Sequence, residues 1–215
     1  MSKMNLPNKL TMLRLCLVPV MTVFLLLPNS VIPWQWAYGV GLLLFALTSL
    51  TDMLDGKIAR ARNLITNFGK FMDPVADKFM VIGTFLALLF RMMNPDIYGV
   101  RYQTVFIIIY FVAVLLVIFR ELAITSLRLV LVNANGQVVA ANILGKIKTV
   151  CQIVSICILF IEPLVDALIC YFDPTFFFAH LYPFSYLFVG LMLIFTLWSG
   201  INYIKGGWKF ISTDW

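Results

Sequence analysis

The sequence predicts an all-α, polytopic membrane protein with six transmembrane helices and both termini cytoplasmic. Three observations carry that expectation. Only 12% of the 215 residues are charged and mean hydropathy is +0.96, far outside the range of soluble domains. Apolar runs of membrane-crossing length, about 18 residues or more, recur along the whole chain and leave no room for a separate soluble domain, so residues 1–215 are expected to form a single membrane domain. The basic residues, finally, sort to alternate ends of those runs.

Apolar windows between turn signals place the six spans at residues 8–27, 34–59, 70–92, 104–131, 143–170 and 184–204. The breaks are rich in helix-stopping residues: PNSVIP at 28–33, RNLITNFG at 62–69, NPDIYG at 94–99, NANGQ at 133–137 and DPTFFFAHLYP at 173–183. The N-terminal run is interrupted by NKLT and Arg14 and is followed by no small-residue cleavage site, so it is expected to be retained. With a cytoplasmic N-terminus, 14 of the 16 Lys and Arg residues fall inside and only Arg91 and Arg101 outside. Trp34, Trp36, Tyr98, Tyr102, Tyr171, Tyr182, Trp198 and Trp208 lie near predicted helix ends and read as interfacial anchors. Cys16, Cys151, Cys157 and Cys170 show no metal or redox spacing, and the single His180 takes no role. No nucleic-acid partner is expected.

Four of the ten acidic residues fall within 26 positions, in DMLDGKIAR and FGKFMDPVAD. Asp52, Asp55, Gly56 and Ala59 share one helix face, with Arg60 at its edge, and Gly69, Asp73 and Asp77 recur every four residues on the next helix. Four carboxylates at close range repel one another and take up protons unless cations compensate. Hard oxygen ligands without Cys or His suit magnesium, manganese or calcium. Gly56, Ala59 and Gly69 leave backbone open to an approaching group, or serve close helix packing. Pro74 either opens the third helix in its first turn or kinks it.

The run Asp52-x-x-Asp55-Gly56-x-x-Ala59-Arg60, then eight residues, then Gly69-x-x-x-Asp73-x-x-x-Asp77 resembles the signature of the CDP-alcohol phosphatidyltransferase family at every fixed position. That resemblance implies a six-helix membrane enzyme, usually a homodimer, which moves a phosphatidyl or similar group from a CDP-linked lipid to an alcohol and releases CMP. It further implies two divalent cations, Mg2+ or Mn2+, held by Asp52, Asp55, Asp73 and Asp77. Asp77 is then also the general base, and Asp52, Gly56, Ala59, Arg60 and Gly69 shape the CDP site. Spacing alone does not rank the four aspartates as bases.

The acceptor is read from other residues. Arg120, Arg128, Lys146 and Lys148 lie toward the cytoplasmic ends of the fourth and fifth spans, either as headgroup anchors or as partners for an anion. Together with LPNKLTMLR they resemble the branch of the family that uses CDP-diacylglycerol and sn-glycerol 3-phosphate. Arg120, Lys146 and Lys148 are then the expected acceptor-phosphate ligands, with Arg128 beside them. Asn8, Thr11 and Arg14 recur at helical spacing and either approach the site from the first helix or act as cap and anchor. The expected setting is a bacterial cell membrane with the active site facing the cytoplasm. Two alternatives remain at this point: a relative with serine, inositol phosphate or phosphatidylglycerol as acceptor, and a divalent-cation transporter, which requires an acidic path across the membrane.

Overall fold

The computed structural model describes residues 5–61, 66–135, 143–173 and 181–211; the side chains of 6, 7, 53–61, 67, 70, 129–135 and 207–211 lie outside that description. The described residues are helical, with no strand among them: α1 (Leu6–Leu25), α2 (Trp34–Ala61), α3 (Asn67–Met93), α4 (Pro95–Tyr98), α5 (Thr104–Asn135), α6 (Ile143–Phe172) and α7 (Pro183–Ile211). Among them α1, α5, α6 and α7 are long and apolar enough to cross a bilayer, which makes this a membrane protein. The two other long helices, α2 and α3, carry the acidic motif.

Local chemistry sets the ends. Pro7 sits in the first turn of α1, where its missing N–H costs nothing. The Thr66 hydroxyl accepts a bond from the Gly69 N–H at 3.0 Å, which caps α3 and starts it at Asn67, three residues before the expected boundary. Pro74 consequently lies inside α3 and not in its first turn. The NPDIYG break holds the single turn α4, which ends at Gly99 with φ of 82°, a left-handed conformation that glycine adopts without strain.

The chain forms two compact units. The first comprises Met1–Gln103 with Phe160–Leu181, and the second Thr104–Leu159 with Tyr182–Trp215, so α6 contributes to both. In the first unit α1 packs against both α2 and α3, which make few contacts with each other. Val18, Met21 and Leu25 of α1, Tyr38 and Phe45 of α2, and Phe85, Leu88 and Met92 of α3 fill its core at helical spacing, together with Phe160. In the second unit α5 packs on α7, and the Phe106 ring meets Tyr186 edge-on with centroids 4.7 Å apart.

Lipid tails are as apolar as leucine, so burial alone does not favour helix contact over lipid contact, and close packing and buried polar bonds must decide. Arg91 provides such bonds. Counted on the outer side of the membrane in the sequence, it is buried: its guanidinium donates to the Leu25 carbonyl and, at 3.2 Å, to that of Tyr98, and lies over the Tyr38 and Tyr98 rings at 5.0 and 4.7 Å. It therefore satisfies a carbonyl that the end of α1 leaves without a helical partner. Tyr98, Tyr102 and Tyr182, expected as interfacial anchors, are buried, whereas Trp36, Tyr171 and Trp198 are exposed as anchoring requires. Arg101 does lie at the surface, paired with Asp96 at 2.9 Å in an exposed contact of little energetic weight.

Candidate active site

The acidic motif is served by α1. Asn8, Thr11 and Arg14 are three residues apart, a step that falls about 60° short of a full turn, so the stripe they form drifts around the helix. Because α1 lies against both motif helices, that drift lets one stripe address each of them. The Thr66 hydroxyl donates to Asn8 Oδ1 at 2.9 Å, at the start of α3. Thr11 donates to Asp73 Oδ1 at 2.7 Å, also on α3. Arg14 donates from Nη1 to Asp52 Oδ1 on α2. All three α1 side chains are buried, and Arg14 is 0% exposed while its partner Asp52 is 42% exposed. A completely buried arginine beside a half-exposed carboxylate does not reach out to a lipid headgroup.

Gly69 belongs to the same arrangement. A Cβ there would lie 3.1 Å from Asn8 Oδ1 and 3.3 Å from Thr66 Oγ1, closer than side chains ordinarily tolerate, and 3.8 Å from Asp73 Oδ2. The glycine thus makes room for the polar contact between α1 and the start of α3. Asp77, one turn beyond Asp73, is partly exposed. Asp55, Gly56, Ala59 and Arg60 continue α2, but their side chains lie outside the described residues. Among the described residues no three carboxylate, imidazole or thiol groups gather at one point, so Asp52, Asp73 and Asp77 by themselves are not brought together there as a cation site.

The basic residues divide. In the second unit, Arg120 Nη1 donates to Glu121 Oε1 at 3.1 Å, Arg120 Nη2 donates to Ser199 Oγ at 2.7 Å, and the Lys148 ammonium donates to the same Glu121 oxygen. Lys148 is buried and therefore does not snorkel to the surface. Lys146, two residues away, is exposed and stands outside this cluster. Arg128 is exposed too and donates from Nε to the Tyr203 hydroxyl at 3.4 Å.

Thr66, Glu121 and Ser199 received no role in the sequence reading. Glu121 carried a signal, being the one acidic residue in the apolar stretch Thr104–Arg128, where an ionisable group requires a partner. It supplies part of the compensation for Arg120 and Lys148 that the sequence reading had left to an anionic acceptor. Thr66 could have been read as a cap three residues before Gly69, but its bond to Asn8 is a tertiary contact across 58 positions.

Helices of membrane-crossing length, and an acidic motif on two more that a polar stripe of α1 joins, define a polytopic membrane protein with a carboxylate site. The chain belongs to the CDP-alcohol phosphatidyltransferase family, whose model matches residues 4–198. It is 36% identical over 219 residues to the CDP-diacylglycerol–glycerol-3-phosphate 3-phosphatidyltransferase of Bacillus subtilis (strain 168), covering 98% of each chain. It is 31% identical over 216 residues to the Pseudomonas fluorescens protein of the same name, covering 98% of this chain and 94% of that one. With CDP-diacylglycerol–glycerol-3-phosphate 3-phosphatidyltransferase 2 of Arabidopsis thaliana it shares 30% identity over 211 residues, covering 95% and 80%.

Proposed function

We propose that this chain transfers the phosphatidyl group of CDP-diacylglycerol to sn-glycerol 3-phosphate, giving phosphatidylglycerol phosphate and CMP in phospholipid biosynthesis. The observation that carries the reading is the end-to-end likeness to relatives named for that reaction, 98% of both chains in the Bacillus subtilis pair. The buried Lys148 and the partly buried Arg120, suited to an acceptor phosphate, support it.

The family depends in general on divalent cations. The residues of this chain fit that requirement: aspartate oxygens, with no thiol or imidazole among the motif residues, make a hard donor set. Asp52, Asp55, Asp73 and Asp77 are assigned to two such ions, Mg2+ or Mn2+, which when bound neutralise the diphosphate and the charge that develops on CMP as it leaves. Arg14 and Thr11 each hold one oxygen of Asp52 and Asp73, which fixes those carboxylates in direction. Gly56, Ala59, Arg60 and Gly69 shape the CDP site, and Asp52 lies beside them. Asp77 takes the proton from the C1 hydroxyl of glycerol 3-phosphate; that oxygen bonds to the phosphorus bearing diacylglycerol, and the bond from this phosphorus to the CMP oxygen breaks. Arg120 and Lys148 bind the acceptor phosphate, with Lys146 and Arg128 contributing longer-range attraction.

The same reading makes the protein a single-domain, six-span enzyme of a bacterial cell membrane. Both termini and the active site face the cytoplasm, and the assembly is a homodimer among membrane lipids. In support, α2 and α3 are 28 and 27 residues long, about 40 Å of helix each, enough to cross about 30 Å of hydrocarbon. The test is CMP release by purified protein supplied with CDP-diacylglycerol and Mg2+ or Mn2+, comparing glycerol 3-phosphate with serine, inositol phosphate and phosphatidylglycerol. Release confined to glycerol 3-phosphate and lost in Asp77→Asn is the expected result. Release with a different acceptor overturns the acceptor, and none from folded protein overturns the reaction.

A further inference from the structure

Gln152 is buried in the second unit with its amide unsatisfied. Its side chain is 2% exposed, and Nε2 meets no acceptor among the described residues. Four positions separate it from Lys148, so the two share one face of α6. A buried donor without an acceptor is costly, and in a helix of membrane-crossing length there is no bulk water to repay it. Within this unit α5 packs on α7, whereas α6 lies close to neither, and the Lys148 ammonium crosses the join to Glu121. Gln152 thus places an unused neutral amide along that join, one turn from the cation assigned to the acceptor phosphate.

We propose that Gln152 is a specificity-determining residue whose amide donates to the C2 hydroxyl of sn-glycerol 3-phosphate, so that the site selects an acceptor carrying both a phosphate and a hydroxyl on the second carbon from it. The proposal rests on the reaction and on the assignment of Lys148 and Arg120 to the acceptor phosphate. Four residues of helix rise about 6 Å. A phosphate oxygen bonded to Lys148 and a C2 hydroxyl bonded to Gln152, each through a contact of about 2.9 Å, span that gap. Ser155, whose hydroxyl is also buried without a partner among the described residues, lies seven positions from Lys148, about 10 Å of rise and beyond the same reach. An amide is neutral and both donates and accepts, which matches a hydroxyl better than a charged group. The C1 hydroxyl stays free to react. An acceptor lacking the C2 hydroxyl leaves the Gln152 donor as unsatisfied as it is in the empty protein, and a site of that kind discriminates against such an analogue.

3-Hydroxypropyl phosphate keeps the phosphate and the reacting primary hydroxyl and lacks only the C2 hydroxyl. The kcat/KM for CMP release is measured with it and with sn-glycerol 3-phosphate, in wild-type protein and in Gln152→Met, which keeps the length of the side chain without its amide. Wild-type protein is expected to favour glycerol 3-phosphate about tenfold or more, and Gln152→Met to bring that ratio close to one. A purely structural Gln152 would lower both rates together and leave the ratio where it was. A fall in the ratio of about threefold or more supports the proposal; a smaller fall, or a wild-type ratio below about threefold, overturns it. Should Gln152→Met not fold, Gln152→Asn, with its amide drawn back by one methylene, is judged by the same threshold. Failure of the underlying reading shows separately, as wild-type protein that releases CMP with serine or inositol phosphate but not with glycerol 3-phosphate.

Discussion

Replacing Gly69 by alanine tests whether the contact between α1 and the start of α3 governs the reaction. The added methyl would lie 3.1 Å from Asn8 Oδ1 and 3.3 Å from Thr66 Oγ1, so one or both must retreat by a few tenths of an ångström. Stretching the Thr66–Asn8 bond removes about 1 kcal/mol, and disturbing the Thr66 cap removes about as much again. Alanine returns up to about 1 kcal/mol through its better helix propensity, less so in a first turn. The sum is a loss of about 1 kcal/mol, a small shift in the thermal unfolding of detergent-solubilised protein. Activity should respond more strongly. Asp73 Oδ2 is 3.8 Å from the new carbon, at ordinary contact, so the disturbance reaches the carboxylate through the displaced α1 residues. A displacement of this size among positioning groups is expected to lower kcat/KM about tenfold, about 1.4 kcal/mol of transition-state stabilisation. Gly69→Ala protein with wild-type kcat/KM for CMP release would refute the reasoning, since the gap at Gly69 would then serve packing alone.

Thr11→Val keeps the shape of the side chain and removes the 2.7 Å bond to Asp73; kcat should fall about tenfold, and the Mg2+ concentration for half-maximal CMP release should rise. Arg91→Leu leaves the Leu25 and Tyr98 carbonyls without their donor and should lower stability by about 2–4 kcal/mol in denaturant titration, with unchanged kcat/KM for the folded fraction because Arg91 takes no part in the site. Chelation of divalent cations should abolish CMP release, and Mg2+ or Mn2+ should restore it, as assayed after buffer exchange.

What the sequence revealed and what it withheld follow from the range of the interactions. The long helices were legible because an apolar run of fixed length is a local property, and the motif aspartates because their three- and four-residue steps define a helix face without reference to the rest of the chain. Arg14 was ambiguous, since an arginine near a helix end serves equally as anchor or partner, and only the packing of α1 against α2 decides between them. The same limit explains Arg91. Positive-inside reasoning counts charges, and it cannot see that the carbonyl of Leu25, 66 positions away, needs a donor. Lys146 and Lys148 differ by two residues and therefore point to opposite sides of α6, so helical spacing alone could have separated the buried one from the exposed one.

The two ends of α1 also bear on motion. At one end Asn8, Thr11 and Arg14 bond across to both motif helices; at the other, Arg91 binds the Leu25 carbonyl and the Tyr98 hydroxyl donates to that of Leu26 at 3.1 Å. A slide of α1 along its axis by one residue, about 1.5 Å, breaks contacts at both ends at once. The helix is thus a tie-rod under restraint at either end, and any breathing of the first unit that admits a bulky lipid must bend or tilt α1 as a whole instead of letting it piston past its neighbours.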